Sequence, residues 1–225
     1  MRLAIMQPYF FPYVGYFQLI DRVDKFVVLD DVNFITRGWV NRNQILLGGK
    51  PSMFSLPLEK ASQNKLICEI EIAGGYERWA QKFLKTIKHA YKSAPFFETA
   101  YEEVVRESLN TSERNLSAFI VATLKIICSY CKIQTDIIET SRLYPKADLT
   151  GADRIIDICR RCQATTYINP SGGSELYDVE VFAKHGIELQ FFDPVISEYS
   201  HGGVEFISHL SIVDLIMWRE AGSIY

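Results

Sequence analysis

The first thirty residues constrain the fold more than any other stretch. A short apolar run, Leu3–Met6, is cut by Pro8; a helical pattern follows over Val14–Arg22, and a second apolar run returns as "KFVVL", Lys25–Leu29. Strand, helix, strand in so short a span places the two strands parallel, because the helix carries the chain back to its starting edge. Strand-like and helical segments keep alternating to the C terminus. The pattern predicts an α/β fold with a Rossmann-like, mainly parallel sheet.

Further along, the residues "PSMFSLPLEK" (51–60) read as a third strand, and "NKLICEIEIAGG" (64–75) has strand character, with Leu66, Cys68, Ile70 and Ile72 on one face. The connection from Asp30 to Lys50 reads as a long polar loop carrying aromatics. Helices are predicted over Glu77–Tyr91, about Phe96–Leu109 and Asn115–Lys132, the last apolar nearly all round. "TDIIETS" is a strand; "LTGADRIIDICRRCQA" is a helix opened by Thr150, with Asp153 where a capping box wants an acid. "TTYIN" and "IELQFF" are strands, a helix ends near "KHG", and "SIVDLIMWRE" closes the chain. With no repeat or linker in view, residues 1–225 are expected to form a single α/β domain with a helical insertion at about 76–132.

Composition narrows the function. The chain is 48% hydrophobic and 23% charged, ordinary for a globular protein, and its net charge of −3 argues against a DNA partner. Lys82, Lys85, Lys88 and Lys92 lie at helical spacing opposite a Trp79, Phe83 and Ile87 stripe, which reads as a solvated face. No signal peptide and no run of membrane-spanning length is visible, so the expected location is the cytoplasm, without direct membrane insertion. Two C-x-x-C pairs, "CSYC" and "CRRC", lie inside helical sequence without the tight turn a zinc site needs. They read as core cysteines, and no metal site is expected. His89 and His185 read as structural, and no partner for His201 or His209 is visible.

In a parallel α/β sheet ligands bind beyond the carboxyl ends of the strands, where strand order reverses. Gln7 and Tyr9 follow the first strand; Asp30 and Asp31, then Arg37, Asn41, Arg42 and Asn43, follow the second. Lys60 follows the third, and Asn169, Ser171, Gly172, Gly173 and Ser174 follow "TTYIN". All are expected on one edge, in one cleft for an anionic ligand. Paired aspartates can ligate Mg²⁺, accept a proton from an attacking amine or bind ribose hydroxyls; they equally cap turns. "NRN" offers a guanidinium fork for phosphate between two amides. "NPSGGSE" lacks the Walker lysine, and its glycines and serines suit either a phosphate or an ordinary strand-to-helix turn.

The opening "MQPYFFPYVGYFQLIDRVDKFVVLDDVNFITRGWVNRNQIL" resembles the WbqC-like family, bacterial proteins commonly encoded among genes for surface-polysaccharide (O-antigen) synthesis. The resemblance returns in "YINPSGGSELYDVEVFAKHGIEL" and in "LSIVDLI". It implies a role in attaching an acyl or aminoacyl group, such as glycyl, to an amino sugar. A more distant similarity is to adenylate-forming enzymes of the HIGH-motif (HUP, nucleotidyltransferase-like) superfamily. Tyr13-Val14-Gly15-Tyr16 occupies the H-x-G-H pattern, with both histidines replaced by tyrosines that carry no positive charge at neutral pH. Gly15 would allow close backbone approach, and the helix start would favour a phosphate. Phe10, Phe11 and Phe17 of the same stretch are assigned to packing.

These observations lead to an amide-forming transferase acting on a nucleotide-linked amino sugar, for example a dTDP-linked one, with Asp30 or Asp31 as base. The cofactor is open between ATP with magnesium and an acyl donor such as acyl-CoA or an aminoacyl-tRNA. The alternatives are a nucleotidyltransferase with YVGY in place of HIGH, and a non-catalytic sugar-nucleotide-binding protein. The oligomeric state, a homo-oligomer included, is left open by the sequence.

Overall fold

Alternation within the first strands sets the layers. Along the chain, β1 (Arg2–Met6), α1 (Val14–Arg22) and β2 (Lys25–Val28) precede a hairpin, β3 (Arg42–Leu47) with β4 (Lys50–Ser55), and a two-residue pair, β5 (Leu58–Glu59) with β6 (Glu71–Ile72). Helices α2 (Tyr76–Tyr91), α3 (Phe97–Ala100), α4 (Glu107–Leu109) and α5 (Leu116–Tyr130) follow. The chain then forms β7 (Asp136–Ile138), α6 (Gly151–Arg161), β8 (Thr166–Pro170), α7 (Val179–Lys184), β9 (Glu188–Phe192) and α8 (Ile212–Trp218). This computed structural model describes residues 1–225.

Five strands form one all-parallel sheet in the order β7, β2, β1, β8, β9. The chain steps outwards from β1 through β2 to β7, then crosses to the other side of β1 and steps outwards again. That is the doubly wound, Rossmann-like α/β order, with its switch point between β1 and β8. Ala4, Phe26 and Val28 face one layer, and Leu3, Ile5 and Val27 face the other. The first face joins a core of 48 buried residues with α1, α2, α5, α8 and the β3–β4 hairpin; the second joins one of 12 with α6 and Phe182 of α7. The larger core is thus continuous from the sheet into the helical stretch.

Five local expectations fail. Residues 42–47 are a strand and not loop: Gly48 and Gly49, at φ +59° and +76°, supply the left-handed turn of a hairpin with β4. The expected third strand therefore splits into β4 and β5, and neither joins the parallel sheet. Residues 66–70 form a short 3-10 turn over Ile67–Glu69 in place of a strand, because the Glu69 carboxylate accepts the Leu66 N–H at 2.9 Å and closes the turn locally. Ile67 and Ile70 are thereby the fully buried residues of that segment. Between α3 and α4 the chain widens into π-helical turns over Tyr101–Arg106. The Thr150–Asp153 capping box does not form: the Thr150 side chain makes no cap bond, and Gly151 enters α6 at φ +52°.

Cys128, Cys131 and Cys159 are buried in the two cores, where burial pushes each thiol up to about 12. No helix is long and apolar enough to cross a membrane.

Candidate functional site

The turn after β1 is held in an unfavourable shape. Phe11 sits at φ +45°, a conformation that costs a bulky residue of order 1–3 kcal/mol. Its carbonyl accepts Asn43 Nδ2 at 2.6 Å and Ser211 Oγ at 2.8 Å. The Phe10 N–H donates to the Val40 carbonyl at 2.9 Å, and the Ile212 N–H donates to Pro12 at 2.7 Å. Phe10, Phe11 and Phe17 are fully buried, so packing is where these three rings go.

This clamp faces the tyrosines towards the switch point, where a cavity of about 430 Å³ opens at the carboxyl ends of β1 and β8. Gln7, Tyr9, Tyr13, Gly15 and Tyr16 line it, together with Ile35, Gly38 and Trp39 from the connection after β2 and Pro170, Phe192 and Pro194 from the other half of the sheet. No charged side chain lines it. The Tyr16 hydroxyl donates to the Gln7 carbonyl at 2.8 Å, whereas the Gln7 amide and the Tyr9 and Tyr13 hydroxyls make no hydrogen bond within the protein. Burial pushes the Tyr9, Tyr13 and Tyr16 phenols up, Tyr9 further through its neighbour Tyr13. They act as neutral donors and acceptors.

Gly15 serves packing within this site. A Cβ at that position would lie 2.4 Å from the Tyr13 ring and 2.7 Å from Pro194 Cβ, so the space expected to admit a phosphate is filled by protein. Gly15→Ala is expected to displace the Tyr13 ring and to cost about 1–3 kcal/mol, as overpacking does. A thermal melt checks it, and an unchanged melting temperature would refute the packing role.

Arg37 and Arg42 flank the lining residues Gly38 to Val40 in the chain and do not line the cavity themselves. The Arg42 guanidinium lies 5.5 Å from the Trp39 ring and donates to the carbonyls of Gly38 and Arg37. Arg37 is exposed, at φ +63°.

The other predicted site residues go elsewhere, and the single anionic cleft does not form. Asp30, 1% exposed, accepts Ser117 Oγ at 3.0 Å, Thr140 Oγ1 at 2.8 Å and both the N–H and hydroxyl of Ser141 at 3.2 Å. Asp31 accepts Ser141 Oγ and, at 2.8 Å, the buried Arg154 guanidinium. Their oxygens are occupied by donors from the β7 side of the sheet, away from the switch point. Asn41 donates to the Leu56 carbonyl at 2.9 Å and Asn43 to Phe11, so both hold the hairpin and the turn. Lys60 is exposed beside Glu59. Asn169 folds back, accepting from the Tyr167 hydroxyl and lying where a Cβ on Gly173 would come within 2.4 Å of its Nδ2. Ser171, Gly172, Gly173 and Ser174 belong to a 3-10 helix, Ser171–Leu176, and β8 gives the cavity Pro170 alone.

Sequence reasoning missed two features. Trp39 was visible in "TRGWVNRN" as a lone large aromatic in a polar connection, but was not singled out. A buried network had no local signal: Asp214 accepts the Tyr91 and Tyr199 hydroxyls, each at 2.7 Å, with His201 Nε2 at 2.9 Å from the same carboxylate. The His201 Nε2 contact does not make a hydrogen bond. A second groove, about 630 Å³ beside α2 and lined by Glu77, Glu102 and Arg106, lies away from the strand ends, and its Arg106 is already paired with Glu102.

No solved structure matches the chain. An uncharacterized Mycobacterium tuberculosis protein, Rv1507c, is 29% identical over 217 residues, covering 96% of this chain and 92% of its own. The profile of the WbqC-like protein family matches residues 7–224, from the Gln7 that opens the cavity to the last residue but one. The chain belongs to the WbqC-like protein family.

Proposed function

We propose that the protein binds a nucleotide-linked amino sugar with the sugar ring in the switch-point cavity and transfers an acyl or aminoacyl group to its amine, in the making of a surface polysaccharide. The observation that carries this reading is the cavity itself: aromatic walls, no charge, and three unengaged neutral hydrogen-bonding groups, Gln7, Tyr9 and Tyr13. Aromatic faces suit the C–H faces of a deoxy sugar, and a few placed polar groups suit its hydroxyls.

The missing carboxylate suits the chemistry as well. Burial in an uncharged site disfavours an ammonium ion, so the sugar amine enters neutral and nucleophilic without a side chain to deprotonate it. Its nitrogen attacks the acyl carbon and forms the C–N bond. The Gln7 amide or a neutral phenol donates to the developing oxyanion. Collapse expels the donor's leaving group, which takes the proton released by the amine. Asp30 and Asp31 hold the fold and have no part in these steps.

Incubation of the protein with dTDP-4-amino-4,6-dideoxyglucose, ATP and glycine, with acetyl-CoA in parallel, tests this by mass spectrometry. A sugar nucleotide heavier by one acyl group is expected. Gln7→Ala should lower kcat about a hundredfold or more with the melting temperature unchanged. No acylated sugar in any combination would remove the transferase. A non-catalytic sugar-nucleotide-binding protein would then stand, a reading favoured by the full engagement of Asp30 and Asp31. Adenylyl transfer has less support: the tyrosines standing in the HIGH positions are uncharged, and the Tyr16 hydroxyl is engaged by Gln7.

A further inference from the structure

We infer that Trp39, Arg37 and Arg42 form an outer subsite for a nucleoside diphosphate, which holds the base by stacking without reading its edges. This rests on the reading that the cavity takes the neutral end of the same ligand.

The argument begins with what the cavity excludes. With no cation in its lining, a diphosphate inside it would be buried without a partner, at a cost of several kcal/mol or more. The diphosphate therefore lies where guanidinium groups are, and the nearest in the chain to the lining residues Gly38 and Trp39 are Arg37 and Arg42, the second of them against the Trp39 ring. Neither Arg37 nor Arg42 is in an ion pair with a carboxylate. The aim of Arg42 is fixed in advance by its bonds to the Gly38 and Arg37 carbonyls, which leaves little side-chain entropy to lose on binding.

Trp39 lies next in line. It is 49% exposed, an unusual position for the largest side chain, and its ring is supported by Tyr9 at 6.3 Å and Arg42 at 5.5 Å. An exposed, propped indole beside guanidinium groups offers a stacking platform to a base. Selective base reading needs donors and acceptors facing the base edge. Of the neighbours, Ile35 is apolar, and the Tyr9 hydroxyl is among the groups that the cavity gives to the sugar. Stacking of this kind tolerates any base, because every base has a π-face. Selectivity therefore falls to the group inside the cavity.

Titration with dTDP, UDP and GDP, followed by tryptophan fluorescence and calorimetry, tests the subsite. All three are expected to change the fluorescence and to bind within about fivefold of one another, with an affinity that falls as salt rises. Trp39→Leu, a rim substitution, should abolish the fluorescence change and weaken all three by roughly five- to a hundredfold. Arg37→Ser should weaken them alike and flatten the salt dependence. The subsite is overturned if none of the three binds, if the fluorescence response survives in Trp39→Leu, or if one base is preferred more than about a hundredfold. Should the diphosphates bind on Trp39 while no amino sugar is acylated, the transferase falls and the subsite stands. Should acylation proceed with an unchanged KM in Trp39→Leu, the reverse holds.

Discussion

Asp214→Ala is expected to lower the unfolding free energy by about 3–5 kcal/mol, the cost of removing the shared acceptor of a buried hydrogen-bond network. Asp214 and the His201 side chain are both 0% exposed. The carboxylate accepts two phenols; without it, the Tyr91 and Tyr199 hydroxyls lose the acceptor they share. The network also reaches the hairpin, since the Leu46 N–H donates to the Tyr91 hydroxyl at 2.9 Å. For a chain of this size each kcal/mol moves the melting temperature by about 2–4 °C, so a drop of roughly 6–20 °C should appear in calorimetry. Asp214→Asn keeps an acceptor of the same shape and should lose less. An alanine variant melting within about 2 °C of the parent would show that the cluster contributes nothing.

Asp31→Ala should be comparably destabilising, for a different reason. Arg154, 2% exposed, donates through one nitrogen to Asp31 at 2.8 Å and to the carbonyls of Ser141 and Tyr144 at 3.0 and 2.8 Å. Its Nε and other terminal nitrogen make no hydrogen bond, so Asp31 is its main compensation; Asp157 lies further off, at 3.6 Å. Removing Asp31 leaves a cation buried, at about 3–5 kcal/mol, whereas removing both partners in an Asp31→Leu, Arg154→Met double variant should recover a large share. Denaturant unfolding of the two single variants and the double closes the cycle, and additive losses would refute the coupling. The same set tests the chemistry. If Asp31 were the base, its loss would abolish turnover at unchanged stability; the expected outcome is reduced stability with turnover per folded molecule retained.

The contrast between these aspartates and the tyrosines shows what was legible in the sequence. β1, α1 and β2 appear almost where the apolar runs and Pro8 put them, because the signals that form them lie within a few residues. The hairpin is not legible in the same way, because its first strand opens on the polar run Asn41–Gln44, which continues the polar connection before it and hides the strand that the Gly-Gly turn closes. At the site, Gln7, Tyr9, Tyr13, Gly15 and Tyr16 do share one cavity, since a single turn carries them. Asp30, Asp31, Asn41, Asn43 and Asn169 look equally functional in sequence, yet each is engaged within the protein.

Sequence alone determined the alternation of strand and helix, the parallel sheet and the ring-rich turn at the end of its first strand. Hydrophobic periodicity and turn residues act over short stretches of chain, and their effect can be read there. Which polar residues remain available for a ligand was decided only in three dimensions. Asp30 meets donors from Ser117, Thr140 and Ser141, and Asp214 meets Tyr91, while Gln7, Tyr9 and Tyr13 meet none. A polar side chain is free or engaged according to the partners that folding brings to it, and here those partners arrive from far along the chain.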